Sequence, residues 1–450
     1  MKDLRKLFGT DGIRGMANKD LTAELALKVG RAGAKYLIPQ GKKGRIIIGR
    51  DPRPSGDFIE SAVISGILSA GHDVISSGII TTPAVALLTK ILDVDGGVVI
   101  SASHNPLEDN GIKFFGKGGQ KLADYQEKAI EDYLIDEDIR NTLPVGTGVG
   151  RFENMDNAVD VYLSYILKFF NISLKGYKIA VDCANGATTV VIKKALTRLG
   201  AEVLDFNTDL SGENINKNCG STHPEVLKKI VLENKADIGF SYDGDGDRVI
   251  SCDSNGRILD GDNIMAFCAL DMQKNGTLKN NCIVTTVMAN MGFCDVMRES
   301  NIMVYKTKVG DRYVLEKMIE TNCILGGEQS GHIIFKNISP TGDGLISTLE
   351  FLKAIIVSGN KISEIYKVFP KYPQLLKNIK VRDKNKIMGS SILKDKIAEM
   401  EKVLGNQGRI VLRPSGTEPV VRVMVEAKTM DMVNEVVDQL STVIEECNNL

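Results

Sequence analysis

Apolar positions recur at three- and four-residue spacing over residues 22–37, where Leu25, Val29, Ala32 and Tyr36 share one face of a predicted helix. A β-branched run over 45–49 follows, then a helical stretch over 58–70 and strands over 72–76 and 97–101. Strands alternating with helices of this length predict βαβ units on a largely parallel sheet. The alternation begins again with strands over 177–182, 201–206 and 236–241 and helices over 190–199 and 225–233. A third set has strands over 282–287, 302–307 and 323–327 around a helix over 311–320. No short period relates the sets, so the pattern predicts duplicated architecture and not a solenoid.

Past residue 370 the texture changes. A strand over 376–381, a helix over 393–403, strands over 409–414 and 420–427 and a helix over 430–446 predict an α+β module. A chain of 450 residues is too long for one core, since domains usually hold about 100–200 residues. The Pro- and Gly-bearing stretches suggest divisions at 1–150, 151–256, 257–370 and 371–450. The expected fold is therefore three successive α/β domains with mixed, largely parallel sheets, followed by the α+β domain.

Composition narrows the function. With 56 basic against 57 acidic residues the chain has no general field for nucleic acid or an anionic membrane, so an anionic ligand needs a local site. No apolar run approaches the roughly 18 residues of a membrane span, and the basic start runs into Gly-Thr-Asp, so a cytoplasmic protein is expected. No two of the eight cysteines lie closer than twelve positions, which excludes a zinc-type pair or C-x-x-C. Reduced, mostly buried thiols are expected.

The most informative run is DGDGDR, directly after the 236–241 strand. Asp243, Asp245 and Asp247 alternate with glycines that let the backbone turn, so their carboxylates can converge on a hard cation such as Mg²⁺. An EF-hand reading fails, because Arg248 and Ser254 occupy its required Gly and Glu positions. SASHNP (101–106) follows another strand and offers Ser103 as nucleophile or phosphate carrier, although a turn or N-cap serine reads equally well. RPSGTEP (413–419) combines a guanidinium, hydroxyls and a flexible glycine, as a phosphate monoester requires, with a plain β-turn as the alternative. GGEQSGH (326–332) sets Glu328 and Ser330 in a Gly-flanked loop suited to sugar hydroxyl or amino groups. Arg14, Arg50 and Lys113 lie near loops of the first unit and are equally readable as surface side chains; His72 and His223 read as structural or exposed. P-loop, dinucleotide and zinc-protease motifs are missing from the sequence.

In this order, SASHNP, DGDGDR, GEQSGH and RPSGTEP resemble the α-D-phosphohexomutase superfamily over essentially the whole chain. FGTDGIRG at the start, Gln329, and RPSGTEPVVRVMVEA near the end look most like its amino-sugar branch, the bacterial phosphoglucosamine mutases. The resemblance implies four domains around one central cleft. Ser103 matches the phosphorylated serine, and Asp243, Asp245, Asp247 and the Ser103 phosphate match the Mg²⁺ ligands. Glu328 and Ser330 match sugar contacts, and Arg413, Ser415, Gly416 and Thr417 match a phosphate cradle. Arg14, Lys113, His104, Arg248 and His332 match the surrounding catalytic positions. Pro52 stands where the family often has Thr, which leaves the phosphate-facing role of the GRDPRPSG loop open.

The implied reaction interconverts glucosamine 6-phosphate and glucosamine 1-phosphate in a cytoplasmic monomer or homodimer. It passes through a 1,6-bisphosphate, with a hexosamine or hexose 1,6-bisphosphate as activator. The alternatives are a glucose or mannose phosphate mutase of the same superfamily and a serine phosphomonoesterase.

Overall fold

The computed structural model describes residues 7–9, 11–135, 143–415 and 419–449. The chain divides into two compact units, one of Met1–Thr286 with Met303–Tyr366, the other of Val287–Ile302 with Lys367–Leu450.

The first unit carries three mixed sheets, of seven, five and four strands. Each contains the same local arrangement. Strand Gly96–Ile100 lies between parallel Arg45–Arg50 and antiparallel Asp109–Gly116. Strand Ile238–Tyr242 lies between parallel Lys178–Asp182 and antiparallel Val249–Asp253. Strand Leu325–Gly327 lies between parallel Cys282–Thr286 and antiparallel Ile333–Phe335. Ligands of open α/β sheets gather beyond the carboxyl ends of such strands. SASHNP, DGDGDR and GEQSGH each leave the carboxyl end of one of these three strands, so a thrice-used arrangement positions all three loops.

Strands Arg45–Arg50, Gly96–Ile100 and Lys178–Asp182 form where the pattern places them because their apolar residues are fully buried, as at Ile46 to Ile48, Val98 to Ile100 and Ile179 to Val181, whereas the antiparallel strands Gly12–Met16, Asp109–Gly116, Val249–Asp253 and Ile333–Phe335 have no counterpart in it. The first helix, Ala23–Leu37, starts at Thr22, whose hydroxyl accepts from Leu25 N at 3.3 Å. Among the helices with no counterpart in the periodic reading are Thr82–Ile91, Gly261–Lys274 and Gly344–Ser358, besides Asp124–Ile135, Ala158–Leu167, Met291–Glu299 and the short Lys384–Gly389; these first three are the most buried. They are buried around most of their circumference, so no polar face marks the 3.6-residue period. Asp260 and Asn263 cap the second of them reciprocally, and Asp343 caps the third.

The second unit is an antiparallel sheet of Gln374–Lys380, Val420–Ala427 and Gly408–Pro414, with Val420–Ala427 central. Helices Ser391–Leu404 and Met430–Asn449 bury Leu393, Met400, Val433, Val437 and Leu440 against Val421, Val423 and Val425. Helix Met291–Glu299 joins this unit, with Glu426 Oε1 accepting from Met291 N at 2.6 Å.

One expectation is corrected. Cys282 and Cys323 form a disulfide with Cα atoms 5.8 Å apart, while the other six cysteines are outside any disulfide and all but Cys294 are buried. The pair sits where strands Cys282–Thr286 and Leu325–Gly327 run side by side, a proximity that a separation of 41 positions conceals in the sequence. Among the described residues no helix is long and apolar enough to cross a membrane.

Candidate active site

Ser103 follows strand Gly96–Ile100 and is almost fully buried, with φ at 55°, in the left-handed region. That conformation costs a non-glycine residue roughly 1–2 kcal/mol, so the surrounding structure must hold it. Ser103 N donates to Ser101 Oγ at 2.9 Å, and Ser101 Oγ donates to Asp51 Oδ2 at 2.5 Å. The Ser103 carbonyl accepts from Arg53 Nη2 at 3.2 Å and from Asn216 Nδ2 at 2.8 Å. Its hydroxyl donates to Asp243 Oδ2 at 2.6 Å and lies 3.3 Å from His104 Nδ1. Burial, then the charges of Arg248 and Arg14, push the His104 imidazole down to about 3, so this ring is neutral at physiological pH.

Asp243, Asp245 and Asp247 are buried, and each brings one carboxylate oxygen within 4.8 Å of the others. The two glycines between them play different parts. Gly246 turns the backbone at φ 74°, whereas Gly244 is required by close packing, since a Cβ there would meet the Ser103 carbonyl oxygen at 2.8 Å. Burial followed by repulsion from Asp247 and Asp245 holds the Asp243 carboxyl well above its usual range. Asp247 is raised by burial and by Asp245. At Asp245 burial pulls the same way, but Lys113 and the Thr82 hydroxyl, 2.7 Å from Oδ2, outweigh it and keep that carboxyl low. Oδ1 of Asp245 and Oδ1 of Asp247 are buried with no hydrogen-bond partner. Three clustered carboxylates with orphaned oxygens fit a hard divalent cation, which would remove both the repulsion and the unsatisfied acceptors.

Cations surround this cluster. Arg14 lies on strand Gly12–Met16 opposite Gly111, and Lys113 lies on the neighbouring strand opposite Val99. Arg14 Nη1 donates to Ala102 O and Asn105 Oδ1, both at 3.2 Å, and Nη2 pairs with Asp11. Lys113 Nζ bridges Asp245 Oδ2 at 3.1 Å and Asp11 Oδ2 at 2.9 Å. Burial opposes its charge, but Asp11 and Asp245 prevail and hold the ammonium above its ordinary pKa. Asp11 also meets Lys121 at 3.0 Å, and Lys121 pairs with Asp311.

GEQSGH turns between strands Leu325–Gly327 and Ile333–Phe335. Glu328 is buried and its Oε1 accepts from Gly310 N at 2.9 Å, while Ser330 is exposed. His332 bridges to Arg248, and its Nε2 lies 3.4 Å from Asp311 Oδ2 and 3.9 Å from Asp247 Oδ2. The sugar-type loop and the carboxylate loop therefore share a hydrogen-bonded edge, reinforced by Val249 N donating to Gly331 O at 3.1 Å.

Comparison with known proteins agrees with this geometry. Family models described as phosphoglucomutase/phosphomannomutase α/β/α domains I, II and III and C-terminal domain match residues 5–140, 160–256, 260–372 and 376–443. A phosphoglucosamine mutase of Desulforamulus reducens is 48% identical over 441 residues, covering 98% of this chain and 99% of the relative. The chain belongs to the phosphoglucosamine mutase family. A phosphoglucomutase/phosphomannomutase family protein of Burkholderia thailandensis superimposes with TM-score 0.82 at 26% identity, covering 99% of this chain and 98% of that one. An Aspergillus fumigatus N-acetylphosphoglucosamine mutase, solved with GlcNAc-6P and magnesium, shares the fold with TM-score 0.69 at 17% identity, covering 98% and 96%.

In this phosphoglucosamine mutase family member, Ser103, His104, Arg14, Lys113, Asp243, Asp245, Asp247, Arg248, Glu328, Ser330 and His332 all belong to the first unit. Arg413 and Ser415 belong to the second, where Arg413 lies opposite Arg422 and Lys384 Nζ donates to the Ser415 carbonyl at 2.6 Å. Gly416 and Thr417 fall outside the described residues. Arg50 pairs with Glu60 and Asp57. The buried arginine of GRDPRPSG is Arg53, whose Nε and Nη groups donate to the carbonyls of Asp109, Ser103 and Asn105. Sequence reasoning did not single out Asp11, Asp51, Arg53, Thr82, Lys121, Asn216 or Asp311. Only Asp11, Asp51 and Arg53 sat inside motifs already in view.

Proposed function

We propose that the chain interconverts glucosamine 6-phosphate and glucosamine 1-phosphate through a phosphorylated Ser103, and so supplies the amino-sugar 1-phosphate for UDP-N-acetylglucosamine and cell-wall precursors in the cytoplasm. The observation that carries this reading is the buried Ser103 hydroxyl bonded to a carboxylate of the aspartate triad at 2.6 Å. The amino sugar follows from the family to which the chain belongs. Isomerisation needs a phosphoryl group parked on the protein and then returned to the other end of the sugar. The alternative hexose phosphates are competitors in the test below.

In the forward direction the P–Oγ bond of phospho-Ser103 breaks as a bond to O1 of glucosamine 6-phosphate forms, and the proton lost from the O1 hydroxyl is balanced by one taken up at Oγ. The bisphosphate then presents its 6-phosphoryl group. The P–O6 bond breaks and P–Oγ forms again as the Ser103 hydroxyl gives up its proton, O6 takes a proton in balance, and glucosamine 1-phosphate leaves. Mg²⁺ held by Asp243, Asp245, Asp247 and the phosphoserine would offset the negative charge of the transferring group. Lys113 remains protonated between Asp11 and Asp245 and so contributes charge, while His104, held neutral 3.3 Å from the serine oxygen, adds none. Glu328, Ser330 and His332 are proposed to contact the sugar, Arg14 and Arg248 the reacting end, and Arg413, Ser415, Gly416 and Thr417 the other phosphate. The four-part division at 1–150, 151–256, 257–370 and 371–450, a hexose or hexosamine 1,6-bisphosphate activator, and a monomeric or homodimeric state belong to the same proposal.

The test is ³¹P NMR of glucosamine 6-phosphate with the protein, Mg²⁺ and catalytic glucose 1,6-bisphosphate, with glucose 6-phosphate competing. Glucosamine 1-phosphate is expected to grow ahead of glucose 1-phosphate. Dominant glucose 1-phosphate would reject the amino-sugar preference, and inorganic phosphate alone would make the protein a phosphatase.

A further inference from the structure

We infer that Asn216 is a positioning residue for phosphoryl transfer: with Arg53 it grips the Ser103 carbonyl, so that the serine oxygen occupies one place each time the phosphoryl group departs and returns. The inference rests on Ser103 being the phosphorylated residue. In the free serine the side chain helps hold the loop by donating to Asp243. Phosphorylation removes that hydroxyl proton, so the side chain loses this bond in half of every cycle. The backbone contacts do not depend on it. Ser103 N remains bonded to Ser101 Oγ, and its carbonyl remains bonded to Arg53 Nη2 at 3.2 Å and Asn216 Nδ2 at 2.8 Å.

The two donors come from different sheets. Arg53 follows strand Arg45–Arg50 and also donates to Asn105 O at 2.6 Å. Asn216 follows strand Glu202–Phe206, sits at φ 57°, and anchors its own backbone by donating N–H to Ala184 O at 2.9 Å. Gly244 closes the arrangement from the carboxylate loop. A Cβ there would lie 2.8 Å from Ser103 O and 2.9 Å from Asn216 Nδ2, so only glycine lets the three groups meet. The grip is thus built by two sheets and packed against the loop that carries the triad. Both transfers use the same Oγ, first as leaving atom and then as attacking atom. Displacing a reacting atom by about 1 Å costs on the order of 10²-fold in rate.

Arg53 is a poor test residue because its loss should unfold the region, whereas Asn216 is only half-buried. Asn216→Gly keeps the left-handed backbone and removes only the amide. Asn216→Asp keeps the shape and turns a donor into an acceptor facing the carbonyl. In the full chain both variants are expected to lose about 10- to 100-fold in kcat on glucosamine 6-phosphate, with KM changed less than about threefold. Intact-mass measurement should show correspondingly slower phosphorylation of Ser103 by glucose 1,6-bisphosphate. A merely structural role would lower the melting temperature and leave the turnover of the folded fraction intact. Parental kcat and phosphorylation rate in both variants would overturn the inference. Ser103→Ala, assayed in parallel, separates the two readings, since turnover by that variant would reject the phosphoserine itself and not the grip.

Discussion

Ser103 donates its hydroxyl to Asp243 Oδ2 over 2.6 Å although 140 positions separate them. The carboxylate that holds the serine is thus also one corner of the triad suited to a divalent cation. Asp243→Asn preserves shape and a hydrogen-bond acceptor but removes an anionic ligand. The expected outcome is a Mg²⁺ half-saturation raised at least about 10-fold and a turnover lowered on the order of 10²-fold. Mg²⁺ titration of the rate, with calorimetry on the same variant, checks this; an unchanged half-saturation would reject the metal assignment.

Arg53 and Asp51 form an ion pair at 3.0 Å in which both side chains are fully buried. Burial raises the Asp51 carboxyl, and the guanidinium is the largest influence keeping it from rising further. Arg53→Met therefore strands a buried carboxylate and releases the carbonyls of Ser103, Asn105 and Asp109. A loss of about 3–5 kcal/mol in urea unfolding is expected, with the Arg53→Met/Asp51→Asn double variant losing less than the sum of the singles. Strict additivity would show that the pair is not coupled.

The same residues mark where sequence reading stops. Strand–helix alternation and the three loops of the first unit were legible because buried strands and glycine-flanked polar turns are local patterns. Within DGDGDR the alternation of carboxylates gave the convergence, yet nothing local distinguished Gly246, which turns, from Gly244, which makes room for Ser103 and Asn216. Arg50 and Arg53 sit three positions apart in one motif; only the fold turns one toward Glu60 and buries the other beneath the serine loop. Lys121, Asp311 and Asn216 reach their places through pairings across more than a hundred positions, which one sequence does not encode in any short spacing. Helix Gly344–Ser358 escaped because its burial leaves no period to read.

The Cys282–Cys323 bond closes a loop of 41 positions between strands that already run in parallel. Constraining the unfolded chain over such a loop stabilises by about 2–4 kcal/mol. Adding dithiothreitol should lower the urea midpoint of the parent and leave a Cys282→Ala/Cys323→Ala double variant unaffected. Equal reductant sensitivity in the two proteins would place the redox effect elsewhere.

Tyr162 donates its hydroxyl to Asp343 Oδ2 at 2.8 Å, while Asp343 Oδ1 caps helix Gly344–Ser358 by accepting from Ile346 N at 3.1 Å. Burial is the largest influence on this carboxyl and pushes it up to about 6 despite these bonds. A carboxyl whose pKa is raised by folding stabilises the native state only while protonated. Its contribution is complete below the unfolded value of about 4 and is lost as pH rises through about 6, by about 2–4 kcal/mol in all. Asn cannot ionise but can still cap the helix through its amide oxygen. Asp343→Asn should therefore gain on the parent between pH 4.5 and 7.5 by a large part of that amount, read as the change in their difference in unfolding free energy. A difference that stays constant across this window would mean that Asp343 is ionised in the native protein throughout.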